Sequence, residues 1–273
     1  MLTTIFTITA LSCYLAVTFV VIRQLMSAQQ HRVGFQPVLH GLGFIGVLSH
    51  GLLLYALLAG QEKLNFALMN VLSLAAWVVV TMFFITALRK PISNLGVIVL
   101  PLASILLLAQ RIWPGPPLLL SEPSTLEYAH IVISLLAYSL IAIAAAQGIL
   151  LLIQEKHIRQ KHPGGFIRAL PPMETMDVLM FQMIWVGFLL LTLTLASGLF
   201  FSEQVFGKAL QFNHHIVLSI VSWLIFLALL IGRWHLGWRG RIAAFWTLGG
   251  FAVLMLAYFG TKFVLEILKQ QVA

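Results

Sequence analysis

Charge is what this chain has least of. Only 9% of its 273 residues are Asp, Glu, Lys or Arg, while 60% are apolar. A soluble domain carries about 25% charge. A soluble globule of this size would lack the polar groups to cover its surface, so that class is excluded. Cysteine is nearly absent too. The single copy, Cys13, excludes a disulfide scaffold and a CxxC thiol relay within the chain. A mean hydropathy of +1.00 excludes disorder. There is no Gly-rich phosphate loop, no HExxH pair and no nucleophile elbow.

What is present is a series of long apolar runs. A bilayer core of about 30 Å takes roughly 20 apolar residues as helix. Charge-free stretches of that order run over 1–22, 33–61, 64–88, 91–110, 128–154, 178–202, 209–232 and 242–261. Backbone amides in hydrocarbon must be paired within the segment, so eight runs predict eight helices. Strand-like alternation is missing, which argues against a membrane β-barrel. The first run lacks a positive leader, and its first positive charge, Arg23, follows the apolar stretch. It reads as a retained helix and not as a signal peptide. The expectation is an all-α, polytopic transmembrane helix bundle of eight helices forming a single integral membrane domain, 1–273.

Net charge is +8, and in a soluble protein that would suggest nucleic acid. Sorted by loop, the charge reads instead as topology. Arg23, Arg32, Arg89, Lys90, Lys156, Arg159, Lys161, Arg168, Arg233, Arg239 and Arg241 fall on one side of the bundle. Lys63, Arg111, Lys208, Lys262 and Lys269 fall on the other. Positive residues favour the cytoplasm, which puts both termini on the outer, periplasmic side. Acidic residues divide as Glu155, Glu174 and Asp177 inside, with Glu62, Glu122, Glu127, Glu203 and Glu266 outside. The inner face therefore holds the whole excess, and nucleic acid drops out as a partner. Gly-Trp-Arg-Gly-Arg at 237–241 reads as a snorkelling cytoplasmic anchor before the last helix.

The connections are short, the longest covering about 154–177 inside and 111–127 outside, too little for a soluble domain. The outer segment Ile112 to Thr125 holds Trp113, Pro114, Gly115, Pro116, Pro117 and an apolar Leu118–Leu120 triplet. It is either a rigid loop with an interfacial tryptophan or a lid that dips into the bundle. No internal repeat supports an inverted-repeat transporter, and no Asp, Glu, Lys or Arg lies mid-span to serve ion transport.

Histidine is the exception, with nine copies. His31, His157, His162 and His235 lie among basic loop residues and meet water, and His40, near the inner end of the second run, reads as structural. His130 opens the fifth helix on the outer side, His214 and His215 open the seventh on that same side, and His50 lies deeper in the second. Neutral imidazole binds haem iron, and a bis-histidine site needs two rings from separate elements. His130 and the 214–215 pair match in depth and side. His130, Ser134, Ala137, Ala145 and Gly148 form one small or polar stripe, as do His215, Ser219 and Ser222. Such stripes mark helix–helix contact, which favours His215 over His214 as the inward ring. The bland reading is that these histidines cap helices or bond a neighbouring helix. Zinc would want a tighter cluster with carboxylate or thiolate.

The stretch Phe212-Asn213-His214-His215-Ile216-Val217-Leu218-Ser219-Ile220-Val221-Ser222-Trp223, then 237–241 and a last helix with Tyr258-Phe259-Gly260, resembles the C-terminal half of the cytochrome c assembly family. His130 with Ser134 and Tyr138 fits the same pattern. The likeness covers about 66–265 and leans toward the YpjD-type bacterial inner-membrane members. It implies a multi-pass protein of the bacterial inner (cytoplasmic) membrane with a non-covalent, b-type haem held near the outer face. The ligands implied are His130 and His215 or His214, with His50 a deeper candidate. The haem handlers of the family end an outer tryptophan-rich loop in Trp-Asp-Pro-Lys-Glu. Here those positions read Phe212 to Ile216, and 202–213 contains no tryptophan. The resemblance therefore implies an accessory in haem handling or cytochrome c biogenesis, without catalysis of its own. Its partners would be the lipid bilayer and another inner-membrane protein or a haem acceptor. The alternative is a haem-free assembly or regulatory partner of another membrane protein, for example in ion homeostasis. A small transporter is the third reading.

Overall fold

The computed structural model describes residues 2–26, 37–58, 64–65, 67–114, 119–120, 124–161, 167, 169–206 and 214–260. Each apolar run becomes one helix: α1 Leu2–Met26, α2 Pro37–Leu58, α3 Leu68–Ala87, α4 Gly96–Ile112, α5 Thr125–Arg159, α6 Met173–Phe206, α7 His214–His235 and α8 Arg241–Met255. A 3-10 turn, Ser93–Leu95, leads into α4, and a π turn, Leu256–Gly260, continues α8. Among the described residues, eight helices are long and apolar enough to cross a membrane. By length and composition the chain is multi-pass.

Two helices run past their apolar stretches into charged sequence. α5 continues to Arg159, and α6 starts at Met173, so the connection between them shrinks to 160–172. Between α4 and α5 lies one half of a short antiparallel pairing. Leu64–Asn65 (β1) lies against Leu119–Leu120 (β2), with Leu64 opposite Leu120. Trp113, just after α4, is exposed. Residues 115–118 and 121–123 lie outside the described residues. So do Arg32, Lys63, Arg168, Lys208, Lys262, Lys269, Glu62, Glu122, Glu266, His31, His162 and the Phe212-Asn213 pair.

The helices divide into two compact units. One comprises Met1–Ser121 with Leu152–Met176, the other Glu122–Leu151 with Asp177–Ala273. In the first, α1 packs on α2, α2 on α3, α3 on α4, and α4 returns to α1. Lipid tails are as apolar as leucine, so such a ring is held by close approach and internal hydrogen bonds. Gly43 supplies the first, because a side chain there would occupy the space of the Phe84 ring. Gln110 Nε2 donates to Asn70 Oδ1 at 2.9 Å, joining α4 to α3. The Trp77 indole donates to the Val47 carbonyl at 2.8 Å, joining α3 to α2.

In the second unit α7 packs on α8, and the corner between them is a built clasp. Asp177, in the first turns of α6, is buried and receives two partners. Arg233 Nη1 lies 2.8 Å from Oδ2, and the Gly240 amide donates to Oδ1 at 2.8 Å. Arg233 also donates to the Trp238 carbonyl at 3.0 Å and lies over the Phe181 ring, 4.4 Å from its centroid. Gly237 and Gly240 sit at φ 64° and 59°, the left-handed side that only glycine adopts cheaply. Trp238 closes over the face of Gly232 and stacks near Trp246 at 5.1 Å between centroids. The 237–241 motif is thus more than a basic anchor: its tryptophan is a packing residue of the corner, while Arg239 and Arg241 are the exposed part.

Candidate functional site

The site begins with how α5 starts. Ser124 and Glu127 form a reciprocal capping box: the Ser124 amide donates to Glu127 Oε2 at 2.7 Å, and the Glu127 amide donates to Ser124 Oγ at 3.3 Å. This fixes the first turn, and His130 follows three residues later, half-buried. Below it the expected stripe is buried at Ala137, Ala145 and Gly148. Ser134 returns its hydroxyl to the His130 carbonyl at 2.7 Å, so it serves the backbone.

Across from α5, His130 Nδ1 lies 2.8 Å from Ser197 Oγ of α6. Ser197 in turn donates to the Thr194 carbonyl at 3.0 Å. Gly198 follows, and a Cβ there would meet His130 Cε1 at 3.5 Å. One edge of the imidazole is therefore docked on α6. Sequence reasoning missed Ser197. Its signal was the small trio Ala196-Ser197-Gly198 in an otherwise bulky run.

On α7 the two adjacent histidines part company. His214 is exposed, whereas His215 is half-buried on the stripe that continues to the buried Ser219 and Ser222. The His215 ring meets Tyr258 edge-on, 5.9 Å between centroids. Tyr258 comes from the π turn, which also carries Phe259. Tyr138 of α5 packs against both, at 6.5 and 6.4 Å, and donates to the Leu254 carbonyl at 3.4 Å. The π turn thus sets Tyr258 beside His215, and both Tyr258 and Phe259 beside Tyr138.

His50 belongs to the first unit and has no exposed surface. Tyr14 Oη lies 3.3 Å from its Nδ1 and Ser73 Oγ 2.9 Å from its Nε2. Both ring nitrogens are engaged, so ligating a metal would cost one of these bonds. Among the described residues no three His, Cys, Asp or Glu side chains gather closely enough to hold a metal ion.

The family described as "Cytochrome C assembly protein" matches residues 38–269. This chain belongs to the cytochrome c assembly family. The match takes in α2, reaching further toward the N-terminus than the motifs around His130 and His214–His215 required. Within the cytochrome c assembly family the chain is similar to inner membrane protein YpjD of Escherichia coli K12, 32% identical over 230 residues. That alignment covers 82% of this chain and 85% of YpjD. It is 28% identical over 206 residues to a 28.8 kDa protein of Azospirillum brasilense, covering 72% and 76% of the two chains. It is 26% identical over 191 residues to the cytochrome c biogenesis protein CcsA of Guillardia theta, covering 62% and 64%. No solved structure matches the chain.

Proposed function

We propose that this protein is a haem-binding accessory in cytochrome c biogenesis, with a non-covalent b-type haem held between His130 and His215. The observation that carries the reading is the placement of two half-buried imidazoles at the openings of α5 and α7. They belong to one unit, and Tyr258, itself packed with Tyr138 and Phe259, meets the His215 ring. The donor set suits haem. Axial ligation asks for two imidazoles from separate elements and an apolar, aromatic surround, and it needs no third protein ligand. Cys13 alone cannot form a CxxCH attachment, so the group would be extractable. Bound haem would supply a one-electron iron centre. The chain's own part is to orient the two imidazoles and exclude water around them. His214, exposed, is the alternative donor on α7. The missing tryptophan-rich outer loop supports an accessory role over direct transfer to apocytochrome. CcsA, a relative, is named for cytochrome c biogenesis, and that process supplies the acceptor class.

The test is the visible spectrum of the full chain purified in mild detergent from haem-supplied cells. A Soret band with sharp bands on reduction is expected, lost in both His130→Ala and His215→Ala. A haem-free wild type that co-purifies with another membrane protein would replace this reading by an assembly or regulatory one. Haem that survives both substitutions would keep the function and remove the site.

The orientation is part of the proposal, with both termini on the periplasmic side. Reporter fusions after Gln160 and after Trp113 test it: the first should be active only with a cytoplasmic reporter, the second only with a periplasmic one. The reverse pattern inverts the bundle.

A further inference from the structure

We infer that the corner between α7 and α8 binds the phosphate headgroup of an anionic phospholipid through Arg239 and Arg241. The corner brings together Arg233, Arg239, Arg241 and one carboxylate, Asp177. Asp177 is paired with Arg233 at 2.8 Å. Among the described residues neither Arg239 nor Arg241 forms an ion pair, and both are exposed. Arg241 lies over the Phe245 ring, 5.4 Å from its centroid, a contact that leaves its charge in place. Two uncompensated cations thus stand on either side of Gly240.

The backbone that carries Arg239 is pinned on both sides. The peptide before it is held by its carbonyl, that of Trp238, which accepts from Arg233 at 3.0 Å. The peptide after it is held by its amide, that of Gly240, which donates to Asp177 at 2.8 Å. The Trp238 amide also donates to the Gly232 carbonyl at 3.1 Å, and the Gly240 carbonyl accepts from the Ala244 amide at 2.9 Å. A buried ion pair is weak evidence for stability by itself. Here its two members hold the two peptide planes that flank an exposed arginine, and such preorganisation lowers the entropic cost of capturing a ligand. A guanidinium matches phosphate oxygens through paired N–H donors. Position then selects the kind of phosphate. α7 ends at His235 and α8 starts at Arg241, and both spans are long and apolar enough to cross a membrane, so the corner lies at a bilayer surface. Trp234, 83% exposed, and Leu236, 69% exposed, precede the arginines, and the exposed Ile242 and Phe245 follow them. Large apolar side chains beside free cations suit an amphiphile, whose acyl chains meet the former while its phosphate meets the latter. A soluble acidic peptide would use the arginines and leave the apolar groups unmatched.

Native mass spectrometry of the full chain in detergent, titrated with phosphatidylglycerol or with zwitterionic phosphatidylcholine, counts the lipid retained. Wild type is expected to hold phosphatidylglycerol in clear preference. Arg239→Ala combined with Arg241→Ala should weaken phosphatidylglycerol binding about 10- to 30-fold and leave phosphatidylcholine unchanged. Arg89→Ala combined with Lys90→Ala removes the same charge from another exposed helix end and should bind like wild type. Equal retention of the two lipids by wild type overturns the inference, and this needs no variant to fold. A control pair that loses as much lipid as the corner pair also overturns it, because the attraction is then to net charge alone. Displacement of the lipid by millimolar inorganic phosphate would make the ligand a free anion. An acidic protein that co-purifies with wild type and is lost with the two corner arginines, while phosphatidylglycerol stays bound, would make the occupant a protein. Either result overturns the lipid assignment.

Discussion

His214 and His215 are the same residue one position apart, and a helix turns about 100° between them. That rotation leaves one ring exposed and sets the other against Tyr258. His214→Ala should therefore leave the Soret band near wild-type intensity, whereas His215→Ala should abolish it; absorbance of the two purified variants decides. His50 makes the opposite case. Its partners are Tyr14 and Ser73, and both lie in the buried core of the first unit. Tyr14→Phe removes one hydroxyl and should lower resistance to denaturant by about 0.5–1.5 kcal/mol while leaving haem content unchanged. A loss of haem in that variant would return His50 to the site. At this scale the sequence was half legible. The stripe spacing favoured His215 over His214 and led to the buried Ser219 and Ser222. Ser197 was not read, because its partner lies 67 residues away in the chain and only the small trio Ala196-Ser197-Gly198 marks it. The capping box Ser124–Glu127 could have been read from its spacing alone.

Helix existence was legible because a membrane imposes length and apolarity on each span at once. Boundaries were less so. α5 and α6 extend past their apolar runs, where hydrogen bonding continues at no cost once charged side chains reach water. The α7–α8 corner shows what composition conceals. Asp177 counted as one loop charge among many, yet it is buried and bonds both Arg233 and the Gly240 amide. Asp177→Ala would leave the half-buried Arg233 guanidinium without its carboxylate. Breaking a buried pair costs about 3–5 kcal/mol, and because the Arg233 side chain is 30% exposed, the lower end is expected. Gly240→Ala should cost about 1–3 kcal/mol, since φ is 59° there. Thermal unfolding in detergent measures both, and a shift no larger than that of an exposed control such as Arg239→Ala would demote the clasp.

For the whole molecule, sorting the loop charges reads an apparently basic protein as an oriented one, which the reporter fusions test. That sorting was possible because the connections are too short to hold a domain of their own. The division into two compact units was not legible, since it depends on which helices pack together and not on where they begin. It separates the two kinds of histidine found here: His50 sealed in one unit, His130 and His215 half-open in the other. A denaturant titration that follows Soret loss alongside Trp fluorescence should show haem leaving with the second unit.

The π turn at Leu256–Gly260 has a consequence for length. A π turn is a helix carrying one residue more than an α-helical path would use. Deleting Ala257 would let the segment relax to regular α-helix. Nineteen residues would then remain of the 20 in Arg241–Gly260, still enough to span about 30 Å of hydrocarbon. Within the turn Tyr258 and Phe259 would each take the preceding position, which shifts them off His215 and Tyr138. The spare residue therefore acts as a vernier, and a one-residue deletion is a way to detune the aromatic wall without unfolding the helix that bears it.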